Sequence, residues 1–244
     1  MKNILSGLLF ISTISFAQFP DGTELLEKID ENMSSDSRIF TSTMVIHGRR
    51  GSRNVESKTW AEGADNSFSE YLAPAREKGT KMLKMEDLLW MYSPSTDRTI
   101  KISGHMLRQS VMGSDLSYED MLDDKKMKES YDAVVNAEED FNGTACWVID
   151  LKAKTDDLAY DSRKIWVDKE KYIPMKQELF AKSGKLLKRM EMSDVVRVQG
   201  RWYPRKMTFK DMLKDGKGTE FIVTEIQFDV PIPDDLLNKG SLRK

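Results

Sequence analysis

The chain of 244 residues is poor in the side chains that crosslink a fold or bind metals. It has one cysteine and two histidines, which excludes an intrachain disulfide and any metal site built mainly from Cys or His. Its 38 Lys and Arg residues nearly cancel its 40 Asp and Glu residues, whereas nucleic-acid binders normally carry a basic excess. No glycine-rich phosphate loop and no GxSxG or HExxH motif occurs. We therefore expect no metal, no dissociable cofactor and no nucleic-acid partner.

Long apolar runs are also missing, apart from one near the N-terminus. Ile4 to Phe16 is uncharged, follows Lys2 and runs into Ser15-Phe16-Ala17, where small residues mark a cleavage site. The run is shorter than the ~20 apolar residues that span a bilayer and is typical of a cleavable secretory signal peptide. We expect residues 1–17 to be removed and residues 18–244 to form one soluble domain in the periplasm. The residue directly after the cleavage site is Gln18 and not Cys, so we expect no lipid anchor.

The remaining sequence predicts one helix followed by many strands. From Asp21 to Met33 apolar residues recur at helical spacing, and from Arg38 onward they alternate along the chain, which is the strand pattern. Turns rich in Gly, Asn and Asp divide the rest into short strands, interrupted by two short helices at His105 to Met112 and Ser117 to Asp124. We predict a mainly β fold with helices (α+β), in which about eleven antiparallel strands curve deeply into a half-barrel covered by helices.

Three side chains are candidates for catalysis. His47 ends a predicted strand, His105 begins a predicted helix, and Cys146 lies inside a strand. No partner motif accompanies either histidine, and a thiol within a strand is typically buried and inert. We therefore predict that the protein is not an enzyme. A hydrolase that uses His47 or His105 stays open as an alternative.

Methionine and tryptophan are concentrated on the predicted strands. The chain has 15 Met residues, many of them on strands although Met is a weak strand former, and all 5 Trp residues lie on strands as well. Such side chains either fill a core or form an adaptable lining for flexible apolar ligands. A half-open barrel of this size tends to enclose a ligand cavity, which favours the second interpretation.

A resemblance to a known family lies in residues 71–121. The stretch contains three motifs: Trp90-Met91-Tyr92-Ser93-Pro94, Gln109-Ser110-Val111-Met112-Gly113-Ser114-Asp115 and Ser117-Tyr118-Glu119-Asp120-Met121. It resembles the outer-membrane lipoprotein-sorting protein family, the exported relatives of the Lol-pathway lipoprotein carrier. The resemblance implies a LolA-like half-barrel lidded by helices, whose hollow accepts the acyl chains of lipids or lipoproteins. It also implies an inner-membrane lipid exporter as a candidate partner, and a carrier of this kind makes transient contact with membranes.

The predicted hollow is lined by alternate residues of three strands, because side chains alternate across a strand and one face of each is more consistently apolar. The residues expected to point inward are Met44, Ile46, Trp90, Tyr92, Trp147 and Ile149. Their neighbours Val45, Met91 and Val148 are then expected to face the other side. A charge at Trp90 should accordingly abolish the binding of a fatty acid.

The predicted lid consists of residues 105–124 and the Asp21 to Met33 helix. It includes Arg108, Met112 and Asp115, of which Arg108 and Asp115 are expected to latch it. Two functions use such a cavity. We expect a non-covalent carrier of acyl chains, in which burial of each methylene contributes roughly 0.8 kcal/mol. The alternative is a regulatory module that senses lipids or mislocalised lipoproteins.

Overall fold

The described residues form a single antiparallel sheet of thirteen strands. The computed structural model describes residues 19–48, 51–123 and 126–244, so the predicted signal peptide at residues 1–17 lies outside them. The strands are β1 (Ser37–Gly48), β2 (Gly51–Glu62), β3 (Asn66–Ala73), β4 (Lys81–Met85), β5 (Leu88–Ser93), β6 (Arg98–Ile102), β7 (Tyr131–Phe141), β8 (Thr144–Ala153), β9 (Ser162–Asp168), β10 (Pro174–Phe180), β11 (Leu186–Val198), β12 (Arg201–Asp211) and β13 (Thr219–Phe228).

The order of the strands brings the two ends of the chain together in the middle of the sheet. That order is β6-β5-β4-β3-β2-β1-β13-β12-β11-β10-β9-β8-β7. Met44 of β1 pairs with Val55 of β2 on one side and with Phe221 of β13 on the other. The two edge strands, β6 and β7, therefore follow each other in the sequence, and the chain between them has to cross the sheet. We call residues 103–123, which begin this crossing, the insertion.

Three α-helices accompany the sheet: α1 (Gly22–Met33), α2 (Tyr118–Leu122) and α3 (Met127–Ser130). The Asp21 carboxylate caps α1 by accepting from the backbone N–H groups of Thr23 and Glu24, at 2.8 and 3.0 Å. Gly22 lets the first turn of α1 approach β7 closely, because a Cβ there would lie 2.4 Å from the carbonyl oxygen of Ala133. None of the helices in the described part of the chain combines the length and apolar character needed to cross a membrane.

Two details of the predicted architecture are wrong. The described residues contain thirteen strands rather than about eleven, because every alternating segment of the sequence, including the five-residue β4 and β6, pairs into the one sheet. The single helix predicted at His105 to Met112 is instead two short 3-10 helices, Gly104–Arg108 and Val111–Gly113. The break between them follows from the extended backbone of Ser110, which pairs with Ser117 in an isolated β-bridge.

The two faces of the sheet are covered by different segments. The inner face, on which α1 and the insertion lie, carries one apolar cluster under each of them. Leu25, Leu26 and Ile29 of α1 pack on residues of β7 to β9, in agreement with the predicted helix. The insertion packs on residues of β1 to β6. On the outer face, the C-terminal segment 231–244 covers β3 to β5 through Leu236, Leu237 and Leu242.

Candidate ligand cavity

A cavity opens on the inner face, in the space that α1 and the insertion leave between them. Its main chamber has a volume of about 980 Å³, and a branch of about 250 Å³ continues under the insertion. Arg38, Leu116, Met207 and Phe209 line both spaces, so the branch and the chamber are continuous. Ligand cavities in proteins typically measure about 300–1,000 Å³, so the main chamber by itself has the size of a site for a small organic ligand.

The branch is apolar. Large side chains on neighbouring strands supply most of its wall: Phe40, Met44, Val55, Tyr71, Met207 and Phe221. Small residues of β2 and β3 form its floor, namely Ser57, Thr59, Ala61, Ser67 and Ser69. The alternation of the strands places these residues on one face, and their small volume leaves the space that the larger side chains surround. The Tyr71 hydroxyl donates to the sulfur of Met82 at 3.3 Å, and burial raises the pKa of Tyr71, so this polar tip stays uncharged.

The chamber is more polar than the branch. Lys188 of β11 forms an ion pair with Asp120 of α2, and Tyr160 donates a hydrogen bond to the same carboxylate. Arg163 of β9 forms an ion pair with Asp123. Burial by itself would raise the pKa of Asp120, but the Lys188 ammonium and the hydrogen bonds from Ser117 and Tyr160 hold that pKa below its usual value. Lys188 and Arg163 are therefore neutralised by carboxylates of the insertion, and three further cationic residues, Arg38, Lys126 and Arg201, also line the chamber.

Hydrogen bonds fasten the insertion to the β12–β13 hairpin. The Asp115 carboxylate accepts from the Thr219 hydroxyl at 2.9 Å and from the backbone N–H of Asp211 at 3.0 Å. The Lys214 ammonium donates to the Ser110 hydroxyl at 2.7 Å and to the Ser114 carbonyl at 3.2 Å. These contacts join the insertion to a hairpin more than 90 residues away in the sequence.

The residues that we predicted as cavity lining lie in three different places. Met44 lines the branch, and its neighbour Ile46 packs in the same cluster beneath the insertion. Ile149 is buried beneath α1, and Trp147 packs against the edge of that cluster. These four side chains share the inner face, as expected, but only Met44 borders the cavity among them. Whether any of the four contacts a ligand stays a prediction.

The predicted orientation of β5 is wrong. Trp90 and Tyr92 lie on the outer face, where they pack with Leu242 of the C-terminal segment, and the Lys239 ammonium lies 4.3 Å from the centroid of the Trp90 ring. Met91, which we expected to face outward, packs with the cluster under the insertion. Both faces of β5 are covered by protein, so both are apolar and alternation alone does not distinguish them. A charge at Trp90 would therefore disturb the seat of the C-terminal segment and not the cavity.

The predicted lid residues behave differently from one another. Asp115 does tie the insertion to the sheet, through Thr219 and Asp211 as described above. Met112 packs its side chain against the apolar cluster, and its carbonyl accepts a hydrogen bond from Arg53. Arg108 is exposed at the end of the first 3-10 helix. Of the two residues predicted to latch the lid, Asp115 is the one that the structure shows hydrogen-bonded to the sheet.

Sequence reasoning missed the polar side chains of the chamber, above all Arg163, Gln177 and Lys188. Each lies on a strand from the second half of the sheet, at an inner-face position that alternates with outer ones. The available signal was a charged or amide residue within an otherwise apolar strand face. That signal becomes informative only when the pairing of β9, β10 and β11 is known.

The candidate catalytic side chains do not converge on the cavity. His47 lies at the end of β1, where its Nδ1 is 2.7 Å from the Ser52 hydroxyl, and His105 is exposed in the insertion. Cys146 is fully buried on the outer face, and burial raises the pKa of its thiol to about 11. The described residues contain no group of three or more His, Cys, Asp or Glu side chains placed to hold a metal ion.

The open sheet with a cavity on its covered face is a LolA-like fold. A family model described as "-like: Uncharacterized protein" matches residues 63–244, more than half of the chain, and the chain belongs to that family. No curated protein matches the chain.

Three solved structures share this fold. One is an outer membrane lipoprotein-sorting protein domain from Vibrio parahaemolyticus, with a TM-score of 0.80 and 23% identity over 91% of this chain and 98% of that chain. A DUF1329 family protein from Desulfovibrio piger gives 0.82 and 24% over 91% and 97%. A LolA superfamily protein from Nitrosomonas europaea gives 0.75 and 21% over 91% and 99%. The resemblance seen in the sequence is thus confirmed for the fold.

Proposed function

We propose that this protein is a non-enzymatic carrier that holds the acyl chains of lipids or lipoproteins and moves them between membranes in the periplasm. The observation that supports this most directly is the apolar branch, which opens from a ligand-sized chamber on the covered face of the sheet. Flexible Met and aromatic side chains in its wall can adapt to chains of different shape. Burial of each methylene contributes roughly 0.8 kcal/mol, so a few methylenes give useful but reversible binding.

The insertion serves as the lid of this carrier. It consists of short helical turns held down by side-chain hydrogen bonds, such as those of Asp115 and Lys214. Gly113, with a φ of 69°, sits in the left-handed region that other residues rarely adopt and marks the point where the lid turns. A lid of this kind can lift when a few polar contacts are exchanged for water, which gives cargo a way in and out.

The partners follow from the cargo. A carrier that binds acyl chains has to receive them from a membrane or from an exporter and deliver them to another membrane. We therefore propose transient contact with membranes, with an inner-membrane lipid exporter as the donor or acceptor. The lipoprotein-sorting description of the Vibrio parahaemolyticus domain is in keeping with this role.

A cavity-filling substitution tests the proposal. Ser67 lines the floor of the branch and is half-buried, so Ser67→Phe should occupy the branch while suiting the strand. We expect its affinity for a fluorescent fatty acid to fall at least about tenfold, the loss of about two buried methylenes. The control is Ser193→Phe, the same change at an exposed position of β11, which should bind as the unchanged protein does.

The natural cargo can be sought in the same protein. Mass spectrometry of the chain purified under native conditions from its own host should show acyl lipids or lipoproteins bound to it. A protein that carries no such molecule and binds no fluorescent fatty acid would contradict the carrier function. Equal binding by Ser67→Phe and Ser193→Phe would instead place the acyl chain outside the branch.

A further inference from the structure

The tip of the β12–β13 hairpin, residues 212–218, exposes two neighbouring apolar side chains. Leu213 is 58% exposed and Met212 is 36% exposed. Among the large apolar side chains that are exposed in the described residues, these two are consecutive in the sequence and the others stand apart from one another. Single exposed apolar residues are ordinary on a protein surface, whereas grouped ones mark a site of interaction.

Hydrogen bonds fix the backbone of the tip, so the fold itself holds the two side chains in the solvent. The Met212 N–H donates to the Leu187 carbonyl of β11, and the Leu213 N–H donates to the Asp211 carboxylate, both at 2.9 Å. Neither Met212 nor Leu213 belongs to the lining of the chamber or of the branch. Their exposure therefore serves neither the core nor the cavity.

The charges around the tip are mainly positive. Residues 210–218 and the neighbouring turn, residues 181–185, together carry five lysines and two aspartates: Lys182, Lys185, Lys210, Lys214, Lys217, Asp211 and Asp215. Lys182 is paired with Asp156, and Lys214 is paired with Asp211. The remaining lysines still outnumber the remaining aspartate, so an excess of ammonium groups flanks the apolar pair.

The size and shape of this surface suit a lipid bilayer better than a folded protein. A stable protein interface buries about 800 Å² on each partner, which two partly exposed side chains on a protruding turn do not supply. A bilayer needs no complementary pocket, because apolar side chains enter the boundary of the acyl chains while lysines stay among the phosphates of anionic lipids. Each buried methylene and each such lysine adds to the affinity.

The tip also belongs to the hairpin to which the lid is fastened. Lys214 donates to Ser110 and Ser114 of the insertion, and Thr219, the first residue of β13, donates to Asp115. A bilayer that receives the tip therefore lies next to the fastenings of the lid, where a carrier of acyl chains needs its membrane.

From these observations we propose that the tip docks the protein on bilayers that contain anionic lipids, with Leu213 and Met212 inserted below the head groups and with Lys185 and Lys217 among the phosphates. This inference rests on the proposed carrier function for its purpose, the transient membrane contact, and it names the surface that makes that contact.

Removal of one apolar side chain tests the docking. Leu213→Ser keeps a residue type that suits a turn, and its affinity for vesicles of seven parts phosphatidylcholine and three parts phosphatidylglycerol should fall about tenfold. Lys217→Gln should weaken the same binding about fivefold at low ionic strength and hardly at all in about 1 M salt, where the charge is screened. Each protein is produced in its own host and purified from it, and flotation of the vesicles measures the bound fraction.

The matched control is Leu88→Ser, which removes another exposed leucine at the opposite end of the sheet. The register of β2 to β5 aligns Leu88 with Ser37, the first residue of β1. Thr219, which follows the tip, aligns instead with Ile46 near the last residue of β1. Leu88→Ser should bind the vesicles as the unchanged protein does.

Equal affinity of Leu213→Ser and the unchanged protein for these vesicles would overturn the docking, and so would an equal fall in Leu88→Ser. Absence of vesicle binding by the unchanged protein would overturn it as well, and a protein would then be the partner of the tip.

Displacement of a fluorescent fatty acid keeps the docking and the carrier function apart. Leu213→Ser should bind the fatty acid as the unchanged protein does, because the tip lies outside the cavity lining. A loss of fatty-acid binding in Leu213→Ser would overturn the docking, because the tip would then serve the cavity. If the unchanged protein binds vesicles through Leu213 but binds no fatty acid, the carrier function fails and the docking surface stands without it.

Discussion

The inner face of the sheet is covered twice, and the two coverings are built in different ways. Over β7 to β9 lies α1, a helix of 12 residues whose Leu26 and Ile29 are completely buried. Over β1 to β6 lies the insertion, made of short helical turns in which Val111 and Tyr118 are the buried anchors. The rest of its apolar side chains are only partly buried, and polar contacts such as that of Asp115 with Thr219 complete its attachment.

Because of this difference, we expect α1 to contribute to the stability of the fold and the insertion to control access to the cavity. Apolar packing of a capped helix is lost only when a large buried surface is exposed to water, so α1 behaves as a permanent part of the core. Side-chain hydrogen bonds are individually worth about 0.5–1.5 kcal/mol and are replaced by water when they break. We therefore expect the insertion to open more readily than α1, although its opening also exposes Val111 and Tyr118.

The sharpest test compares one leucine from each covering. Leu26→Ala in α1 should lower the free energy of unfolding by about 3 kcal/mol, because it leaves a cavity in a fully buried cluster. Leu107→Ala in the insertion, where the side chain is only partly buried, should lower it by about 1 kcal/mol. Urea denaturation of both variants measures the two values. Equal losses would mean that the insertion is as firmly embedded as α1.

The second test releases the insertion from the hairpin. Asp115→Ala removes the acceptor of the Thr219 hydroxyl and of the Asp211 backbone N–H. The opening free energy of the insertion should fall by about 1–2 kcal/mol, which makes its amide hydrogen exchange roughly tenfold faster or more, with α1 unchanged. Asp132→Ala, at an exposed position of β7, should leave exchange as it is. Faster exchange in α1 as well would show that the two coverings move together.

Acid should distinguish the coverings because they contain carboxylates with pKa values shifted in opposite directions. In the insertion, the pKa of Asp120 is lowered: burial opposes ionisation, but Lys188 and its hydrogen-bond donors outweigh that effect. Its contribution to stability is therefore complete above the ordinary Asp pKa of about 3.9 and is lost as the pH falls below that value through the lowered pKa.

In α1, the pKa of Asp30 is raised, mainly by burial and in spite of the backbone N–H groups of Lys128 and Met127. Ionised Asp30 thus costs stability at neutral pH, and this cost disappears as the pH falls through its raised pKa. Below about pH 4 the insertion should loosen while α1 does not. Hydrogen exchange corrected for the intrinsic rate at each pH measures both. Retention of the acid response in Asp120→Asn would contradict this assignment.

The smallest expected effect concerns Arg108. Because its side chain is exposed, Arg108→Ala should change the free energy of unfolding by less than about 0.5 kcal/mol. The opening free energy of the insertion, obtained from its hydrogen-exchange rate, should also change by less than about 0.5 kcal/mol. Thermal unfolding and hydrogen exchange check both quantities. A change in the exchange rate as large as that of Asp115→Ala would mean that Arg108 does hold the insertion closed.

The secondary structure could be predicted well from the sequence, because each element depends on local spacing. Helical spacing of Leu25, Leu26 and Ile29 predicted α1 and its buried side. Alternation along β1 correctly placed Met44 and Ile46 on one face. The insertion was harder to predict, because its backbone follows the sheet it crosses and not a continuous helical pattern. Its apolar residues pack toward the sheet in several short turns. No strong local sequence signal marks the break between the two 3-10 helices at Ser110.

The cavity depended on tertiary structure. Alternation within β5 says that Trp90 and Met91 point to opposite faces, but it does not say which of them points inward. The C-terminal segment covers one face and the insertion covers the other, so both are apolar for reasons that lie far away in the chain. The sequence by itself therefore determined the elements and the family resemblance. The pairing of distant strands decided which side chains surround the chamber and brought Arg163 and Gln177 together within it, because only long-range contacts select between the two faces of a strand.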